Sequence, residues 1–180
     1  MKKLIIISFV LLLSVCAKAQ IQTNFWGLEL SKSYSLYDAK NIISSNCRMV
    51  KIEGNNLYCS DGRFGGYDWS FIDFTFYVQG GTNRLYWVAF SQNFNSKEAA
   101  MDRFVLLRDA LSNKYGEALD GDAEPTRVSK MWIFLEDVHV CNLVLEKSES
   151  KGGDIYWYVS LQYSDSDILS QSIRSEEDEL

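Results

Sequence analysis

The stretch YDWSFIDFTFYV, residues 67–78, decides the fold class. Ile72, Phe74, Phe76 and Val78 fall on one face at a period of two, and Trp69, Phe71, Asp73, Thr75 and Tyr77 on the other. A helix would bring residues three or four apart together, so a period of two marks a β-strand. Residues 79–83, with Gly80-Gly81 at their centre, turn the chain into a second strand over 84–90. Glycine accepts the positive φ that a tight hairpin turn demands, so the pairing is antiparallel.

On the N-terminal side lie strands at 47–53 and 57–60, separated by Gly54-Asn55-Asn56, and a loop at 61–66. Before them, Ser35 and Asp38 form a capping-box-like start, and Leu36, Ala39, Ile42 and Ile43 recur at helical spacing up to Asn46. On the C-terminal side, Asn95 as N-cap and Glu98 open a second helix with the apolar stripe Ala100, Phe104, Leu107, Leu111 and Tyr115. Lys114 and Gly116 suit its C-terminal end. A loop over 117–127 with the only proline, Pro125, leads to strands at 128–135, 138–146 and 155–163, turned at Glu136-Asp137 and over 147–153.

Short connections between strands imply an antiparallel sheet, and amphipathic helices need a surface on which to bury their stripes. The expected fold is α+β, an antiparallel sheet with two amphipathic helices packed on one face, in the order α-β4-α-β3. It forms a single domain over 20–164, followed by a polar acidic C-terminal tail over 165–180. Helix followed by strands occurs twice, which hints at an internal duplication.

The opening residues read as an export signal. Lys2 and Lys3 precede an apolar run too short to span a bilayer comfortably, and Ala17-Lys18-Ala19 supplies a small-residue cleavage site before Gln20. Residues 1–19 are therefore expected to be a cleaved signal peptide and the protein to be secreted or periplasmic. Leu13-Ser14-Val15-Cys16 resembles a bacterial lipobox, but Val15 stands where that pattern wants a small residue. Cleavage at Gln20 is thus preferred to lipoprotein anchoring by acylation at Cys16.

Removing Lys2, Lys3 and Lys18, with no acidic residue among the first nineteen, takes the formal charge from −6 to −9. That charge, with basic residues scattered singly, disfavours nucleic acid and anionic membrane surfaces. No later apolar run reaches transmembrane length. Of the cysteines, Cys47, Cys59 and Cys141 remain in a compartment where disulfides persist. Three cysteines allow one bridge among three pairings and leave one thiol buried, free or joined between chains.

The elements Gly27-Leu28-Glu29-Leu30, the helix over 35–46, the aromatic hairpin, and a helix ending Lys114-Tyr115-Gly116 resemble a pattern in uncharacterised small exported proteins of Bacteroidetes-type bacteria. More distantly, the repeated helix-and-strands order is similar to the beta-lactamase inhibitor protein-like fold, shared with a lipoprotein module of the outer-membrane assembly machinery. The resemblance implies protein binding rather than chemistry.

Catalytic motifs are sparse. His139 is the single histidine, which rules out a His-rich zinc site within one chain and obliges any Ser-His-Asp triad to use it; no G-x-S-x-G elbow accompanies it. Asp120-Gly121-Asp122-Ala123-Glu124 begins like a calcium loop, but Pro125 and Met131 occupy the positions that need glycine and glutamate. No cofactor or metal is implied and no catalytic residue is assigned.

The aromatic excess on the strands is the feature that suggests an activity. Trp69, Tyr77, Trp87, Trp132 and Trp157 are the candidate binding residues of an exposed sheet face that engages a protein or cell-envelope component. Two alternatives remain open: an envelope glycan hydrolase using paired carboxylates, with Asp73 as candidate, and a structural or oligomeric envelope protein using a sheet edge or the spare cysteine.

Overall fold

A computed structural model describes residues 20–133, 138–150 and 152–177. The signal-like residues 1–19, the last two residues of the 128–135 strand with the turn at Glu136-Asp137, and the final residues, 178–180, lie outside the described residues. The chain is mixed α+β, and its strand pairings are antiparallel. Three short strands, β1 (Asn24–Phe25), β2 (Leu28–Glu29) and β3 (Ser33–Tyr34), lead into helix α1 (Leu36–Ile43) and a 3-10 turn, Ser44–Asn46. A meander follows: β4 (Cys47–Glu53), β5 (Asn56–Phe64), β6 (Tyr67–Gln79) and β7 (Thr82–Phe94). Helix α2 (Lys97–Tyr115) precedes a second meander: β8 (Leu119–Glu124), β9 (Arg127–Ile133), β10 (His139–Glu149) and β11 (Ile155–Asp165). Helix α3 (Ser166–Glu177) ends the described chain.

The meanders form one sheet in the order β4-β5-β6-β7-β11-β10-β9-β8, with β3 added on β7. They meet along β7 and β11, where Phe90 faces Leu161 and Val88 faces Tyr163. The hairpin between β6 and β7 turns on Gly80 (φ 59°) and Gly81 (φ 80°), as the sequence requires.

Four expectations are corrected. The stretch 117–127, read as a loop, contains β8, so four strands follow α2 rather than three. All six residues of β8 are exposed, and an edge strand with no buried face shows no alternation to read. The stretch 165–180, read as a tail, contains α3: Asp165 Oδ1 accepts the N–H groups of Asp167 and Ile168 at 3.0 Å each, which caps the helix, and Ile168 anchors it by burial. The cap of α2 is Ser96 rather than Asn95, because the Ser96 hydroxyl accepts the Ala99 N–H at 3.2 Å. Residues 61–64, read as loop, continue β5.

One core unites the elements. Ala39 and Ile43 of α1 and Ala100, Phe104, Leu107, Leu111 and Tyr115 of α2 join Leu57, Ile72, Phe74, Val88, Phe90, Leu143, Leu145, Val159 and Leu161 of the sheet. The N-terminal residues Phe25 and Trp26 add rings against Phe64, Phe74 and Phe90, and Phe64 stacks on Phe90 at 4.3 Å. Cys47 and Cys59 form a disulfide that ties edge strand β4 to β5. Cys141 is a buried thiol whose pKa burial pushes up to about 12. It is inert, and too deep to join a second chain without unfolding. No helix among the described residues is long and apolar enough to cross a membrane.

Candidate functional site: the sheet face opposite the core

Strand β6 sorts its side chains by parity. Ile72, Phe74 and Phe76 are buried in the core, whereas Phe71, Asp73, Thr75 and Tyr77 stand on the other side and stay open or half-open. Register extends that second face across the sheet: Asp73 lies between Tyr58 on β5 and Ala89 on β7, then Ala89 faces Gln162 on β11 and Gln162 faces Asn142 on β10. The neighbouring row runs Ser60, Phe71, Ser91, Ser160 and Val144.

Small side chains pave the middle. Ala89, Val144 and Ser160 are buried yet belong to no part of the core cluster, because their neighbours on the outer face cover them. A short polar chain crosses this floor: Ser91 Oγ donates to Ser160 Oγ at 3.1 Å, Gln162 Nε2 donates to the same oxygen at 3.3 Å, and Asn142 Nδ2 donates to Gln162 Oε1 at 3.4 Å. Aromatic rings border it, with Phe71 51% and Tyr58 37% exposed and Tyr77 and Trp87 partly so. Beside them is a cleft of about 450 Å³ whose lining includes Asn56, Thr75, Tyr77, Tyr86 and Ser172 of α3. At the far end Arg127 bridges Glu146 (2.6 Å) and Asp122 (2.8 Å), and Tyr158 donates to Glu146 at 2.7 Å. This end is saturated.

Asp73 is not. It has no hydrogen-bond or ion-pair partner among the described residues, and burial between Tyr58 and Phe71 raises its pKa from 3.8 to about 6. Such a shift suits a general acid, but glycoside hydrolysis needs a second carboxylate about 5 to 10 Å away. The row through Asp73 runs Lys51, Tyr58, Ala89, Gln162 and Asn142 and holds none.

Of the five predicted binding residues, two stand on this face: Tyr77, and Trp87, which is paired with Thr75. Trp69 and Trp132 are 1% exposed core residues whose indole N–H groups donate to Phe64 O (3.1 Å) and Gly116 O (3.0 Å), so they offer nothing to a partner. Trp157 packs partly against the core, with Lys97 Nζ 5.1 Å over its ring. The parity of β6 had put Trp69 beside Phe71. The alternation fails where β5 carries Asp61 at φ 51° and Gly62 opposite Trp69; a Cβ on Gly62 would sit 2.5 Å from Ile72 Cδ1. Tyr58 and Asn56 escaped notice because the segment containing them is short. Their spacing of two, continued from Asp73 by register, is the signal that finds them.

A second cluster gathers the types of residue used in nucleophilic catalysis. Ser31 Oγ lies 3.3 Å from His139 Nε2 and donates to Asp165 Oδ2, and Ser31 has φ 69°. The arrangement is a structural latch. The serine proton is directed to the carboxylate rather than to the imidazole, and the Ser31 and Lys32 N–H groups are taken by Leu85 O and Glu29 O, so they cannot serve an oxyanion. Sequence reading missed this cluster because Ser31, His139 and Asp165 are far apart along the chain. Among the described residues no group of three His, Cys, Asp or Glu could hold a metal, and two of the three acids of β8 are engaged, Asp120 with Lys130 and Asp122 with Arg127.

Searches for related proteins match no family model, no curated protein and no solved structure.

Proposed function

We propose that this chain is an exported, secreted or periplasmic, non-enzymatic binding module whose outer sheet face engages another protein or a cell-envelope component. The observation that carries the reading is the side-chain layer of β5, β6 and β7 away from the core. There half-exposed rings surround a carboxylate with no partner among the described residues, on a floor of small residues. Rings give large contact area at low conformational cost, and small residues let a partner approach closely.

In this reading α1 and α2 both cover the core side, which leaves the other side to the partner, and α3 borders it. Export is inferred from the pattern over residues 1–19 and fits a Cys47–Cys59 disulfide, since such bonds persist in oxidising compartments. The likeness to the beta-lactamase inhibitor protein-like fold belongs to the same proposal and implies protein recognition.

Trp87→Ala should weaken capture of a partner from envelope extract at least about tenfold, as loss of an aromatic anchor does, while Trp157→Ala on the core side leaves capture unchanged. Melting curves check that both variants fold. Equal capture by both variants would count against the face.

A further inference from the structure

Resting on the reading of the outer sheet face as a binding surface, we infer that the notch around Asp73 receives an arginine side chain of a protein partner. Register builds the notch. Tyr58 stands on one side of Asp73 and Ala89 on the other, with Phe71 and Thr75 flanking it along β6. Ala89 ends at Cβ and is 1% exposed beneath its outer-face neighbours, so the gap toward β7 is shallow and the half-buried carboxylate is reached from above it. Trp87, opposite Thr75, stands diagonally across that gap, within reach of a long side chain.

The carboxylate of Asp73 and the amide oxygen of Asn56 are acceptors with no donor among the described residues. Asp73 has no partner among the described residues. Lys51, the cation in its row, lies beyond Tyr58 and is engaged by Glu53. Asn56, opposite Thr75, has a buried Oδ1 with no hydrogen bond. The donors at the notch are the neutral hydroxyls of Tyr58, which accepts from Asn56 Nδ2 at 3.1 Å, and Thr75, so an anionic ligand would meet the Asp73 charge with no cation beside it to offset it. A guanidinium brings a charge, five N–H donors in a plane, and a face that stacks on rings such as Tyr58, Phe71 and Trp87. Lysine's compact ammonium satisfies the carboxylate but makes no planar fork. A carboxylate drawn partly out of water is also a stronger attractor for an entering cation than one that is fully hydrated. The partner is a polypeptide because the flat strip continues from Asp73 through Ala89, Gln162 and Asn142, a length of surface that a free cation would leave uncovered.

The test titrates the purified full chain, by calorimetry near neutral pH, with a capped tri-arginine peptide and with its citrulline counterpart, which keeps the shape and loses the charge. The arginine peptide should bind, and Asp73→Asn should weaken it about tenfold or more, as expected for a lost charge-assisted hydrogen bond. The citrulline peptide should bind wild type no better than the arginine peptide binds the variant. The inference is overturned if Asp73→Asn or citrulline makes no difference, if wild type binds neither peptide, or if choline binds and the peptide does not. Circular dichroism confirms that the near-isosteric variant is folded. Phe71→Ala and Trp87→Ala separate the two claims. If they weaken peptide binding while Asp73→Asn does not, the face binds and the notch does not; if none of the three matters, the face reading fails as well.

Discussion

Phe74 and Phe71 sit three residues apart on one strand, the first wholly buried and the second 51% exposed. The two faces of β6 use the same residue type for different ends. On the inner face, rings from β5, β6, β7 and the N-terminal segment close on one another and on α2. On the outer face, rings stand apart around small residues and a carboxylate that has no partner among the described residues. The difference teaches that an aromatic excess is ambiguous until parity is assigned residue by residue. A large ring stabilises a fold when neighbours surround it, and it offers contact area when they do not.

The sharpest way to break the comparison is to truncate one ring from each face. Trp69→Ala should cost about 3 to 5 kcal/mol in urea unfolding, the range for a buried large aromatic. Phe71→Ala should cost less than about 1 kcal/mol, the span of strand preference at an open position. Comparable losses from the two would erase the distinction between the faces.

Next in size is the disulfide, which belongs to the edge of the sheet rather than to either face. Cys47→Ser with Cys59→Ser should cost about 2 to 3 kcal/mol, the chain-entropy value for a loop of this size. Partner capture should be unchanged, because the outer face is built by register and not by the crosslink.

A further effect has the opposite sign. Because the Asp73 pKa is raised to about 6, the folded state holds a proton that the unfolded state has released between about pH 4 and pH 6. Its contribution to stability is therefore fully present below the unfolded value of 3.8 and is lost as pH rises through about 6. A shift of this size corresponds to about 3 kcal/mol, and solvent screening at a partly exposed carboxylate lowers it to on the order of 1 to 2 kcal/mol. Asp73→Asn should thus be more stable than wild type at pH 8 by that amount, with the gap closing below about pH 4. A variant less stable than wild type at pH 8 would mean that Asp73 makes an interaction the comparison denies it.

The parts of the molecule that were readable from sequence are those whose burial repeats. The alternation from Phe71 to Phe76, the Gly80-Gly81 turn and the α2 stripe from Ala100 to Tyr115 each appear where the pattern puts them, whereas Val78, read on the buried face, is 43% exposed beyond the register shift at Thr75 and Phe76. Strand β8 lacked such a pattern because none of its residues is buried, and α3 because its cap, Asp165, belongs to the end of a strand. Within the site, Tyr77 and Asp73 followed from parity along β6, and the structure adds Trp87 on β7 through its register with Thr75. Trp69 did not, because the backbone of the facing strand departs from regular form at Asp61 and Gly62, which only the paired structure reveals. The latch of Ser31, His139 and Asp165 depends on β10 lying beside β11 and on a residue at positive φ, and no local pattern announces either.

The central claim is that the partner meets the outer face. The direct measurement places a photo-crosslinking amino acid at Phe71 on the outer face or at Leu106, 52% exposed on α2, and irradiates cells producing each variant. The account predicts a discrete crosslinked species from position 71 and none from position 106. Crosslinks from position 106 alone, or the same species from both positions, would contradict it.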